Sequence, residues 1–229
     1  MNPALTAVAV AVGAGAIVAV SSRDPRAALV GLAAVLVGSA FLVDPLPAPA
    51  ALGVRIVGGL LCASIVRLAV PAATGDPASS PLGWPAESFL ALAAAVGGGG
   101  LAIGLAVAAS GVTTGGGSDS IPVATAASGI LITSTATALF AVGVTPAVVG
   151  GRGIRRPVGV VLVAAAVVLL RTGFAGAPNE LEQIAIGGLL VGCAIGAVAI
   201  ARAGAPDAAR SRPAGRVGDG FADAADELP

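Results

Sequence analysis

The side chains able to do chemistry in this chain are few and narrow in type. Twelve Arg face twelve Asp plus Glu, with two Cys, one Trp and no His, Lys or Tyr among 229 residues. Without His, the usual haem ligation, imidazole–zinc sites and His-based triads are excluded. Without Lys, a retinal or pyridoxal Schiff base is excluded as well. No Asp or Glu falls in the middle of an apolar run, so neither a carboxylate proton relay nor an aspartyl intramembrane protease is legible. The expectation is a non-enzymatic chain without metal or cofactor. A formal charge of zero gives no field for nucleic acid.

What remains is a set of polar residues close to the ends of apolar runs. Arg55, Arg67 and Arg171 each lie near a predicted helix end, where a long side chain snorkels to the interface. For Arg55 and Arg171 the alternative is contact with an anionic or polar ligand. Asn179-Glu180-Leu181-Glu182 has the spacing of a capping box, which gives Glu182 a structural task at the positive end of a helix dipole. The fifth apolar run is the most polar, with Thr125, Ser128, Thr133, Ser134, Thr135 and Thr137. At about 100° per residue, Thr125, Ser128 and Thr135 share one face, and Thr133, Ser134 and Thr137 another. Such hydroxyls bond to their own helix or to a neighbour, and Thr133 and Thr137 are candidates for polar contacts. Cys62 and Cys193 lie inside apolar runs and read as small packing residues.

These residues must be positioned by helices in a membrane. The chain is 56% hydrophobic and 10% charged, with a mean hydropathy of +0.98, far too apolar for an ordinary soluble domain. A span needs roughly 20 mostly apolar residues to cross about 30 Å of hydrocarbon. Seven stretches qualify: Ala4 to Val20, Ala27 to Val43, Ala51 to Val70, Ser88 to Ser110, Pro122 to about Val144, Pro157 to about Ala175, and Leu181 to Ala201. Asn2-Pro3 and Asp24-Pro25 supply a cap followed by proline at the first helical position. The opening residues lack the basic region of a signal peptide, so the first run is expected to be a retained span. Trp84 reads as an interfacial anchor before the fourth span.

Arginine placement orients this threading, because cytoplasmic loops collect positive charge. With the N-terminus outside, the inner segments hold Arg23, Arg26, Arg67, Arg152, Arg155, Arg156, Arg202, Arg210, Arg212 and Arg216. Arg55 and Arg171 alone fall toward the outer side. Arg as the sole cation and an Ala/Gly/Val/Pro bias suit a GC-rich bacterial genome, which points to a bacterial inner membrane and a cytoplasmic C-terminus.

Glycine supplies the packing signal, since helices in lipid associate by close backbone approach. Gly188, Gly192 and Gly196 recur every fourth residue along the seventh span and predict a groove for another helix, of this chain or of a partner. Gly97, Gly98, Gly99 and Gly100 stand at the centre of the fourth span with Gly104 beyond them. They predict a tight helix crossing, the alternative being local unwinding.

An ungapped shift of 129 residues aligns Arg23 and Arg26 with Arg152 and Arg155, and Gly58-Gly59-Leu60-Leu61 with Gly187-Gly188-Leu189-Leu190. The expected fold class is therefore an all-α polytopic transmembrane bundle of about seven spans, arranged as a 3+1+3 parallel repeat. Residues 1–70 form the first three-helix unit, 71–121 the linking loops and fourth span, 122–201 the second unit, and 202–229 a disordered cytoplasmic tail.

Val20-Ser21-Ser22-Arg23-Asp24-Pro25-Arg26-Ala27-Ala28-Leu29 resembles the first turn of the J-type membrane subunit of bacterial NADH-quinone oxidoreductase. Arg152 to Leu170 and the following span are similar to the K type and to related cation-antiporter subunits. The resemblance implies a place beside larger ion-translocating subunits. The K-type intramembrane glutamates and the J-type tyrosine have no counterpart here, so it implies a scaffold rather than direct proton carriage. Partners would be the lipid bilayer and other membrane subunits or further copies of the chain. The alternative is a small-solute transporter, because the 3+1+3 arrangement is similar to that of the SWEET sugar transporters, although their mid-helix prolines are not evident.

Overall fold

In a computed structural model, the described residues are 3–22, 24–69, 83–112, 123–149 and 154–203, with side chains over 3–22, 24–68, 88–104, 127–148 and 154–202. These residues form helices α1 (Pro3–Ser21), α2 (Pro25–Phe41), α3 (Pro49–Ala69), α4 (Gly83–Val112), α5 (Val123–Val149), α6 (Arg155–Ala175) and α7 (Glu180–Ala203), with no strand among them. Five helices are long and apolar enough to cross a membrane, and the apolar stretches Pro25–Phe41 and Ser88–Gly104 are shorter. Trp84 and Thr125 lie outside the described side chains. Arg23, Arg152 and residues 204–229 of the expected tail lie outside the described residues altogether.

Local chemistry sets most of the helix ends. The Asp24 carboxylate accepts from the Arg26 backbone N–H at 2.9 Å and Pro25 follows it, so a side-chain cap and a fixed φ start α2 together. That helix stops at Phe41, two residues before the expected end, yet Leu42 and Val43 remain buried. Gly176 closes α6 at φ 81, a left-handed conformation that glycine adopts freely, and its N–H bonds to Thr172 O. The fifth helix outruns its expected end near Val144 and continues to Val149 with Pro146 inside it. Pro146 therefore lies within a helix, not at an end or in a loop. Its missing N–H leaves the Val142 carbonyl without the i→i−4 bond of a regular helix, three residues before the helix ends.

Packing joins α1 to α2, α5 to α6, α3 to α7 and α4 to α5, with smaller contacts of α2 on α3, α6 on α7 and α1 on α5. Two antiparallel crossings are built alike from glycine. A Cβ on Gly31 would meet Gly15 O at 2.6 Å and Ala19 N at 2.7 Å. A Cβ on Gly159 would meet Gly143 O at 2.8 Å and would strike Ala147 N. The second set lies 128 residues after the first, the separation that also divides Arg55 from Gln183 and Cys62 from Leu190. A uniform shift of 129 thus misses the α1/α2 crossing by one residue, although Gly58 does touch Gly187.

The third and seventh helices run parallel. Arg55 meets Gln183 near their starts, Cys62 Sγ lies 3.6 Å from Leu190 O farther along, and Arg202 Nη2 donates to Leu68 O at 2.8 Å near their ends. Buried Leu5, Val12, Val35, Leu36, Leu139, Leu162 and Leu169 belong to one core cluster. Large apolar side chains also cover the outside, among them Val30, Phe89, Val96, Leu101, Phe174 and Leu181. Water would not tolerate such a surface on a monomer, whereas hydrocarbon would.

Candidate functional site

Arg55 and Gln183 are the polar side chains buried most deeply, at 1% and 0% exposure. The expectation that Arg55 snorkels to an interface is corrected: its guanidinium turns inward against α7. Arg55 Nη1 donates to Gln183 Oε1 at 3.3 Å. Arg55 Nε and Nη2 and Gln183 Nε2 are buried and have no hydrogen-bond partner. Burial of an unmatched charge is costly, and three unsatisfied donors at one place are a departure from ordinary packing. Gln183 drew no attention in the sequence because it sits in the first turn of a helix beside two acids, where a polar residue is ordinary.

Arg171 follows a different course and does not join Arg55. Its Nη2 donates to both Glu182 oxygens at 2.7 Å, and its Nη1 donates to Gly176 O at 3.1 Å. Glu182 also accepts from Asn179 N at 3.0 Å, while Glu182 N donates to Asn179 Oδ1 at 2.8 Å. The capping box is therefore present, with an ion pair added that ties the end of α6 to the start of α7. Arg171 is engaged in the chain's own turn.

Four hydroxyls of α5 are likewise directed to their own helix. Thr133 donates to Gly129 O, Thr137 to Thr133 O, and Ser134 and Thr135 both to Leu131 O, at 2.8 to 2.9 Å. Thr133 and Thr137 are thus side-chain donors to backbone carbonyls, and a Cβ on Gly173 of α6 would strike the Thr133 hydroxyl. Each hydroxyl retains acceptor capacity, which a back-bonded hydroxyl in a helix commonly leaves unused.

Among the glycines, position decides the role. A Cβ on Gly98 would meet Thr137 O at 2.8 Å, and Gly99 lies against Ser134 and Ala138, so these two seat α4 on α5. The helix runs unbroken through all four glycines. Gly97, Gly100 and Gly104 have open space within 4 Å, as do Gly188, Gly192 and Gly196. The expected helix in the α7 glycine groove is not one of the described helices of this chain. The contact face of α7 is instead Gln183, Gly187, Leu190 and Ala194, rotated away from that stripe.

The described topology arginines lie at helix ends: Arg26 opens α2, and Arg155 and Arg156 open α6. No group of three His, Cys, Asp or Glu among the described residues could hold a metal ion. Chemically, the α3/α7 seam can present charged and neutral N–H donors to an acceptor, and the α6/α7 turn can lock two helices. Comparison with protein-family models, with curated proteins and with solved structures finds no match for this chain.

Proposed function

We propose that the chain is an integral membrane protein of seven spans, N-terminus outside, and serves as a non-catalytic subunit of an ion-translocating complex in a bacterial inner membrane. The parallel course of α3 and α7 supports the span count. Between them the chain must reverse an even number of times, and α4 supplies the extra crossing that α5 and α6 alone do not. The shared separation of 128 residues at both glycine crossings supports two like units of three helices with α4 as the inverting link. Arg202 and Leu68 meeting at one end agrees with both lying on the arginine-rich inner side.

The observation that carries the subunit reading is the outer surface of α7. Gly188, Gly192 and Gly196 form an open strip on that helix, which also exposes Leu181, Leu189 and Ile195. A second membrane protein that lays a helix there gains close backbone contact without displacing anything of this chain. The ion-translocating class rests on the resemblance of residues 20–29 and 152–170 to J- and K-type subunits. Affinity purification from native membranes in mild detergent tests it. The chain is expected to co-purify at fixed stoichiometry with a larger polytopic protein, and Gly188→Leu with Gly192→Leu to release it. Recovery as a stable monomer with no membrane partner overturns the reading.

A carrier of small solutes is a second reading, favoured by one observation: the buried donors of Arg55 and Gln183 lie on the seam between the two units. Carrier sites of repeat-built transporters lie at such an interface.

A further inference from the structure

Arg55 and Gln183 pose a problem of charge and geometry together. The Gln183 carbonyl offers one dipole to Nη1 at 3.3 Å and no negative charge. A guanidinium stays ionised at neutral pH, and among the described residues no acid pairs with this one. Glu182, the adjacent acid, is held by Arg171 and Asn179 N, and Glu180 is exposed.

The free atoms also have a shape. Nε and Nη2 form one edge of the guanidinium plane, the edge whose two N–H bonds lie parallel and match the oxygens of a carboxylate. A monatomic anion uses that edge less well. Gln183 Nε2 adds a third free donor on the opposite helix. Two parallel helices begin at this end, and Arg55 and Gln183 lie six and three residues beyond their first residues. The partial positive charge at the start of α7, whose first turn holds Gln183, therefore favours an anion here, whereas Arg55 lies beyond the first turn of α3. Arg55 is about 9 Å of helix rise from the start of α3, so only the first turns of the seam need part. The three free donors are fully buried, so the seam is closed in this structure and admits an occupant only as α3 and α7 part, which restricts it to a small molecule.

We infer that Arg55 and Gln183 form a binding site for a small carboxylate, gripped side-on by the Arg55 Nε/Nη2 edge between α3 and α7. The site goes beyond the subunit reading, since a subunit and a carrier can both hold such a ligand, and its failure leaves the co-purification result untouched. A lipid phosphate has the same two-oxygen chemistry, and the test separates the two.

The experiment uses the full chain in phosphatidylcholine nanodiscs and follows thermal unfolding at neutral pH and constant ionic strength. Acetate is expected to raise the unfolding temperature saturably, whereas sodium chloride and glycerol phosphate do not. Arg55→Lys keeps the charge but loses the fork, and is expected to weaken the acetate response at least tenfold. Arg171→Lys is expected to leave it unchanged. Gln183→Glu places a carboxylate on Arg55 within the chain; it should raise the unfolding temperature without acetate and abolish the acetate response, a readout independent of whether the Arg55 variant folds. No acetate response in the unmodified chain overturns the site, as does an equal response to chloride or a response to glycerol phosphate alone. An undiminished response in Arg55→Lys, or a Gln183→Glu chain that is less stable and still responds, overturns it too.

Discussion

The residues of the α6/α7 turn show how local chemistry and neighbouring charge combine. Asn179 and Glu182 satisfy each other's backbone N–H groups at 3.0 and 2.8 Å, a reciprocal cap legible from their spacing alone. The Arg171 pairing was not legible, because it depends on where α6 ends relative to α7. Asn179→Ala is expected to cost about 1 kcal/mol of stability through the lost cap. The Arg171–Glu182 pair has side chains 38% and 40% exposed, so solvent screening limits its contribution to about 1 kcal/mol or less. Unfolding titrations in mixed micelles of Asn179→Ala, Arg171→Gln and the double variant measure both terms. A larger loss from Arg171→Gln than from Asn179→Ala would show that the ion pair, not the cap, holds this turn. Arg55 teaches the complementary lesson, since proximity to a helix end allowed snorkelling and the direction of the side chain was decided by α7.

At the scale of helices, apolar length and end signals located all seven elements, with boundaries that differ by a few residues where proline and glycine compete. What glycine does could not be read the same way. Spacing finds a glycine strip, but only a neighbour's backbone shows whether the strip is occupied. Gly31 and Gly159 are pressed against backbone atoms that cannot move aside, whereas Gly188 faces open space. Gly31→Ala and Gly159→Ala are each expected to cost about 1–3 kcal/mol through overpacking. Gly188→Ala is expected to be neutral or to stabilise the isolated chain by up to about 1 kcal/mol, since alanine is the better helix former. The three variants compared in the same unfolding assay give that order or refute the assignment of faces. The hydroxyls of α5 belong here as well: their bonds to carbonyls three or four residues back make them part of the helix, which periodicity by itself left open.

For the whole molecule, the proposed threading through a bilayer draws on arginine distribution and on the parallel α3/α7 pair, two observations of different origin. It predicts which surfaces water reaches from each side. In a chain with Cys62 and Cys193 replaced by Ala, a cysteine at Leu46 or Ala177 should react with an impermeant maleimide added outside intact cells. A cysteine at Ser22 should react only after the membrane is opened. Labelling of Ser22→Cys in intact cells would invert the orientation, and equal labelling at all three would dismiss the threading. The long-range pairing was partly legible, because the sequence shift of 129 residues that aligns Gly58 with Gly187 lies one residue from the separation of 128 between Arg55 and Gln183. At the glycine crossings Gly15, Ala19 and Gly31 recur 128 residues on as Gly143, Ala147 and Gly159, but only the structure shows that these are the residues in contact.

The α3/α7 seam has a consequence for the order of synthesis. The partner of Arg55 is encoded 128 residues later, on the seventh of the described helices to leave the ribosome. While the intervening helices are inserted, the guanidinium has neither Gln183 nor the shelter of α7, and α3 cannot settle with its charge turned toward lipid. The first three helices must therefore wait, with Arg55 kept near water or held by the insertion machinery, until α7 arrives. Arrival of α7 would then be the event that closes this seam, and a nascent chain stopped short of α7 would carry an arginine without its Gln183 partner.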